Sequence, residues 1–265
     1  MMPKRPSQRV MHAARKVTRR LVSEGADAVV VVGSRVRGDS YRESDVDVTA
    51  IGQRNAFYIE RIGGYLFSIA WRTPAAARKE FRDPSRAGGA VPGWRSAFVL
   101  HDAQGVAKAI MQEANVWTWD VLGKRREAWV AEEFTGWAEE VHRLVGNLEK
   151  GRLWAAGIIR SVLAIRLAPI MAVHHCIMYD TENNLWDLVG KKMGIHWSQA
   201  QSAALSIRGE SLEESCKAAL RLFVLAAREL RPILGDRRRV VVDHACELAG
   251  RTIIKGRGTR ANLRS

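Results

Sequence analysis

The run Val29-Val30-Val31-Val32-Gly33-Ser34 and, after a ten-residue spacer, Asp45-Val46-Asp47-Val48 constrain this chain more than anything else in it. An apolar strand runs into a Gly-Ser turn, and a second apolar strand then presents two carboxylates one residue apart. Alternate strand residues point the same way, so Asp45 and Asp47 face one side together. Two like charges side by side repel unless a cation neutralises them. Mg²⁺ prefers carboxylate oxygens, keeps several waters and bridges to phosphates. A Gly-Ser turn lets backbone amides approach a phosphate closely, and a helix opening after it would add dipole attraction. These parts together describe a site for a nucleoside triphosphate and its metal. The competing interpretation is an acidic hairpin on a solvated edge.

The segment reads VVVVGSRVRGDSYRESDVDV. It resembles the nucleotidyltransferase superfamily that includes DNA polymerase β and the antibiotic nucleotidyltransferases. That family's signature is an apolar strand, Gly-Gly or Gly-Ser, about ten residues, and acidic-x-acidic on an apolar strand. Arg37-Gly38-Asp39 follows the turn and Ser44 immediately precedes Asp45, which also fits. The resemblance implies nucleotide-binding roles for Gly33, Ser34, Arg37 and Ser44, and catalytic, Mg²⁺-binding roles for Asp45 and Asp47. Arg37 belongs to the Arg-Gly-Asp segment and is the best candidate for a phosphate clamp; Arg35 and Arg42 read as solvated loop arginines. Phe98 to Gly105 looks like the strand and turn that close such catalytic domains. The later helical half, with Trp197 and Leu212 to Leu220, looks like the two-domain build of aminoglycoside and lincosamide nucleotidyltransferases.

One departure bears on catalysis. The family normally places a third carboxylate on a later strand. The expected strand, Gly64 to Trp71, contains no acid, and Ser68 stands about where that carboxylate would be sought. Glu60 and Glu80 lie outside this strand and Asp102 belongs to the next. Either the base comes from elsewhere, or two carboxylates suffice, or the protein binds nucleotide without efficient turnover.

Composition narrows the class. At 265 residues the chain can bury a proper core, and 47% apolar with 26% charged residues is not a disordered composition. Three widely spaced cysteines, Cys176, Cys216 and Cys246, argue against a disulfide framework and suit a reducing cytoplasm. The first twenty residues are basic with no apolar stretch, unlike a secretory signal. Ala155 to Val173 is apolar but interrupted by Arg160, Arg166 and Pro169, which predicts a buried or amphipathic helix and no membrane partner. The net charge of +14 sits at the ends: +7 within residues 1–20 and +5 within 236–265, leaving a nearly neutral body. Basic arms favour polyanions through counterion release, or simply keep a protein soluble.

The pattern along the chain predicts an α+β fold: a small mixed twisted sheet with flanking helices, then an all-α helical bundle. The expected boundaries are 1–118 for the catalytic domain, 119–250 for the helical domain and 251–265 for a basic tail. An amphipathic helix carries Val10, Ala14, Val17 and Leu21 and ends at Gly25. Strands are expected near 28–33, 45–51, 64–71 and 96–100, with a loop over Ala87 to Gly93, where three glycines and Pro92 cluster. One long helix is expected to carry Val130 to Leu148, followed by a helix interrupted or kinked at Pro169. Ser211 and Glu214 are spaced as a capping box.

Other clusters have plainer interpretations. His174-His175-Cys176 invites a zinc site, but adjacent helical residues diverge by about 100°, so the three read as core or interface. Lys191-Lys192 reads as a solvated helix end and Trp71 as core. The function expected is transfer of a nucleoside monophosphate, AMP from MgATP, to an acceptor hydroxyl. The acceptor is open between a small molecule and RNA; the basic ends favour RNA, and the near-neutral body counts against a cationic aminoglycoside. The alternatives are an RNA- or protein-modifying nucleotidyltransferase, and a nucleotide-binding regulatory protein that lacks turnover.

Overall fold

A computed structural model describes residues 7–255. Helix α1 (Gln8–Ser23) forms where apolar residues recur at helical spacing. Its N-cap Ser7 accepts from the Val10 amide, and Val10, Ala14, Val17 and Leu21 are buried along one side. Gly25, at φ 96°, turns the chain into strand β1 (Ala28–Val32). Then come the short helix α2 (Ser34–Arg37), β2 (Val46–Ile51), β3 (Ala56–Ile62), β4 (Tyr65–Arg72), α3 (Pro74–Glu80), α4 (Pro84–Arg95), β5 (Phe98–Asp102) and α5 (Val106–Val116).

The five strands make one mixed sheet in the order β3-β4-β2-β1-β5. Only β2 and β4 run parallel; the other neighbours are antiparallel. Val29, Val31, Val46, Val48, Ala50, Phe67, Ile69 and Trp71 point to one face and pack with α1. Ala28, Val30 and Ile51 point to the other, beneath a second cluster with Ala77, Val91 and Ile110 from α3, α4 and α5. Trp71 is therefore a core residue, 1% exposed, with the Arg54 guanidinium 3.9 Å from its ring centre. At the β3–β4 end the second face stays open, and Phe57, Ile59 and Leu66 are exposed.

Two features differ from expectation here. Strand β3 is additional: its alternating burial pairs it with β4 through Gly63 and Gly64, whose φ values of 60° and 85° suit a two-residue hairpin turn. The glycine-rich stretch expected as a loop is helix α4, with Asp83 as N-cap and Pro84 in its first turn. Pro92 has no N–H for the carbonyl four residues back, Gly88 O; the Tyr179 amide takes that carbonyl at 3.0 Å. The helix thus tolerates its internal proline because an outside donor satisfies the acceptor it leaves free.

The helical half comprises α6 (Lys124–Gly136), α7 (Ala138–Glu149), α8 (Leu153–His174), α9 (Glu182–Met193), α10 (Ile195–Ala204), α11 (Leu212–Leu230) and α12 (Asp236–Lys255). The expected single helix over Val130 to Leu148 divides after Gly136, and α8 continues through Pro169 without a break. α8 is long and apolar enough to cross a membrane by composition, and 56% of its most apolar stretch is buried in the protein. Its Arg160 donates to the hydroxyls of Ser161, Ser206 and Ser215, each at 2.9 Å. Phe134 and Phe223 stack with ring centres 4.7 Å apart. Ser211 and Glu214 form the capping box of α11.

The chain separates into two compact units, one of Met1–Leu122 with Met178–Glu182, the other of Gly123–Ile177 with Asn183–Ser265. The return of Met178–Glu182 to the first unit is absent from the linear boundaries expected above. Residues 251–255 of the expected basic tail are helical; the remainder of that tail, like residues 1–6, lies outside the described residues.

Candidate active site

Strand pairing brings the sequence motif together. Val32, at the end of β1, pairs with Asp47 of β2, and Asp47 pairs on its other side with Ser68 of β4. Asp45 sits one residue before β2 begins, and the Ser68 hydroxyl donates to its Oδ2 at 2.6 Å. Gly33 follows Val32 at φ 80°, a left-handed conformation that favours glycine. A Cβ there would stand 2.2 Å from Asp47 Oδ2, so a side chain is excluded as well as strained. The Gly-Ser turn and the acidic pair are thus one surface.

The negative charge of that surface is only partly compensated. Burial, then the Asp45 charge beside it, push the Asp47 carboxyl up to about 6, against a smaller opposing pull from Arg37. Arg37 is largely buried and ion-paired with Asp39 at 3.3 Å and Asp180 at 3.6 Å. Asp180 comes from the returning segment, and nothing in the linear sequence marks it as a neighbour of the motif. Ser44 is engaged inside the spacer loop: its hydroxyl accepts from the Tyr41 amide at 2.8 Å. The Arg35 guanidinium donates to the carbonyls of Arg42 and Ser44, bracing the same loop, while the Arg42 side chain is exposed. Ser34 opens α2, half-buried, directly after Gly33.

The acids considered as a third carboxylate are placed elsewhere. Glu60 pairs across the sheet with Phe67, whose ring lies in the α1-side core, so it faces away from Asp47; its carboxylate accepts from Arg20 at 2.7 Å. Glu80 ends α3 and meets Arg72 at 3.7 Å and Arg86 at 3.8 Å. Arg72 pairs with Ile51, four positions along β2 from Asp47. Asp102 pairs with Ala28, at the far end of β1 from Val32, about 13 Å away at the usual strand rise. It accepts from the Ala107 and Lys108 amides at 3.1 and 3.0 Å and so caps α5. The position beside Asp47 belongs to Ser68. Lys191 and Lys192 are exposed in the last turn of α9.

The donor set can hold a hard divalent cation. It offers two adjacent carboxylates whose charge Arg37 offsets only in part, no soft ligand, and a side-chain-free approach at Gly33.

No family model matches the chain, and no curated protein matches it. Among solved structures it is similar to a nucleotidyltransferase-like protein from Exiguobacterium sibiricum 255-15, at 12% identity over 96% of this chain and 80% of that one, with a TM-score of 0.51. At that identity the likeness is one of fold: this chain has the nucleotidyltransferase fold, a mixed sheet with flanking helices followed by a helical region.

Proposed function

We propose that the protein transfers a nucleoside monophosphate, AMP from ATP, to an acceptor hydroxyl. The observation that carries this reading is that the space a Cβ at Gly33 would need is taken by the Asp47 carboxylate, which joins a phosphate-approach turn to an acidic pair on one surface. In this reading the Gly33–Ser34 backbone receives the β and γ phosphates, where a side chain would block their approach. Arg37 is held by Asp39 and Asp180, and in this reading a phosphate would compete with those carboxylates for its guanidinium. Ser44 fixes the end of the spacer loop and so the entry of Asp45 into the site. Asp45 and Asp47 would hold Mg²⁺, which when bound supplies neutralisation of charge on the attacking and leaving oxygens of an in-line displacement. The Ser68 hydroxyl orients Asp45.

A second reading, nucleotide binding without efficient turnover, draws support from the placement of Glu60, Glu80 and Asp102 away from Asp47. One experiment separates the two. Purified protein, Mg²⁺ and each α-³²P-labelled nucleoside triphosphate are incubated with total RNA, a cell protein extract or an aminoglycoside panel. Label on one acceptor class, lost with Asp45→Asn, supports transfer. Nucleotide binding by calorimetry with no label on any acceptor supports the binding reading.

A further inference from the structure

In the helical unit, three helices end at one place. His174 is the last residue of α8, Met193 the last of α9, and Glu229 the penultimate residue of α11. The rule that adjacent helical residues diverge does not govern His174 and His175, because the helix stops between them. His175 is the C-cap at φ −86°, ψ 9°, and Cys176 follows in the left-handed region at φ 56°. The two imidazoles meet edge to face with ring centres 4.7 Å apart.

Donor atoms of His174, His175 and Glu229 all lie within 4.8 Å of one another. His175 Nε2 is 3.6 Å from Glu229 Oε1 and 3.1 Å from Met193 Sδ. Around a four-coordinate ion with bonds near 2.0–2.3 Å, donor atoms sit about 3.3–3.8 Å apart. The His175–Glu229 separation falls within that spacing, and the His175–Met193 separation is a few tenths of an ångström shorter. Cys176 is turned to another partner, since its sulfur accepts from the Arg126 guanidinium.

We propose that His174, His175, Glu229 and Met193 form a binding site for a late first-row transition-metal ion, separate from the acidic pair of the first unit. Three helix C-termini bring partial negative charge to the cluster, which favours a cation. Arg126 and Lys192, within electrostatic range of the histidines, oppose it, while Glu127 and Glu229 support it. A hard ion held mainly by charge gains little from such a mixture. Imidazole and thioether donors instead suit copper and zinc, and the thioether inclines the site toward Cu⁺.

The test uses full-length protein carrying Asp45→Asn and Asp47→Asn, so that the acidic pair contributes nothing. It is titrated with Zn²⁺, with Cu⁺ anaerobically against a chromogenic chelator, and with Mg²⁺. The expected result is one equivalent of Cu⁺ or Zn²⁺ and no Mg²⁺. His175→Gln should weaken binding at least tenfold, since loss of an outer-shell partner alone costs roughly 10–100-fold. Met193→Leu should weaken Cu⁺ more than Zn²⁺. Glu229 is 46% exposed, so Glu229→Gln reports on the ion without disturbing the core; circular dichroism verifies the fold of each variant. His142 and His244, stacked at 5.1 Å, are a competing histidine pair. Absence of stoichiometric binding, survival of binding in His174→Gln/His175→Gln, or its loss in His142→Gln/His244→Gln would each overturn the proposal.

Discussion

Ser68 donates its hydroxyl hydrogen to Asp45 across 2.6 Å from the strand position paired with Asp47. It occupies the place where a nucleotidyltransferase would be expected to carry a third carboxylate, and an acid there would face both aspartates. Ser68→Asp should therefore raise Mg²⁺-dependent nucleotidyl transfer by about a hundredfold, the lower end of what a positioned general base contributes. Without metal the same variant should lose about 1–3 kcal/mol of stability, since a third carboxylate adds to unneutralised charge. Labelled transfer and thermal unfolding, each with and without Mg²⁺, measure the two effects. A Ser68→Asp protein no more active than the parent would show that the missing acid does not limit turnover.

Asp47 gives a pH dependence of definite sign. Its carboxyl rises from 3.8 to about 6 on folding, chiefly through burial. Between those values the native state holds more protons than the unfolded chain, so this group's contribution to stability falls as pH rises. By pH 7 the ionised carboxylate costs about 3 kcal/mol. Asp47→Asn should remove that cost, making the metal-free variant more stable than the parent at pH 7.5 and nearly equal at pH 4. Mg²⁺ should raise the melting temperature of the parent at pH 7.5 and leave Asp47→Asn unchanged. Superimposable stability–pH profiles for the two proteins would refute the assignment.

What the sequence disclosed, and what it hid, follows from how far each signal reaches along the chain. Gly33, Asp45 and Asp47 were legible because strand alternation and turn chemistry are local, and the register then does what alternation predicts. Ser68 was locatable only by counting along a strand. Strand β3, where no strand was expected, carries a readable alternation and a Gly-Gly turn that pairs it with β4. Helix α4 was illegible for a stronger reason: Gly88, Gly89 and Pro92 are helix breakers alone, and Tyr179, nearly ninety residues later, supplies the donor that permits the helix. Asp180, which pairs with Arg37, arrives by the same return of the chain. Local rules cannot see partners delivered by a segment so distant.

Gly33 and Gly64 separate strain from function. Both have positive φ, 80° and 85°, but nothing lies within 4 Å of a Cβ at Gly64, whereas one at Gly33 strikes the Asp47 carboxylate. Gly64→Ala should cost about 1–2 kcal/mol from the backbone alone and leave nucleotide affinity unchanged. Gly33→Ala should cost more and also displace Asp47, lowering nucleotide affinity at least tenfold by calorimetry. Equal affinities in the two variants would detach the turn from the nucleotide site.

Helix α4 offers a paired test of the Tyr179 contact. A Cβ at Gly93 meets nothing within 4 Å, while one at Gly89 would come within 3.0 Å of the Tyr179 ring. Neither glycine has a positive φ, so alanine suits the backbone at both positions. Gly93→Ala should stabilise the protein by about 0.5–1 kcal/mol through helix propensity and reduced freedom of the unfolded chain. Gly89→Ala should forfeit that gain, because the ring must shift and with it the amide that satisfies Gly88 O. Chemical denaturation of both variants reads the difference directly. In a Tyr179→Ala background, where the ring is gone, Gly89→Ala should regain the stabilisation seen at Gly93. Stabilisation by Gly89→Ala in the parent would mean that the ring yields freely, and that α4 does not depend on the returning segment for its packing.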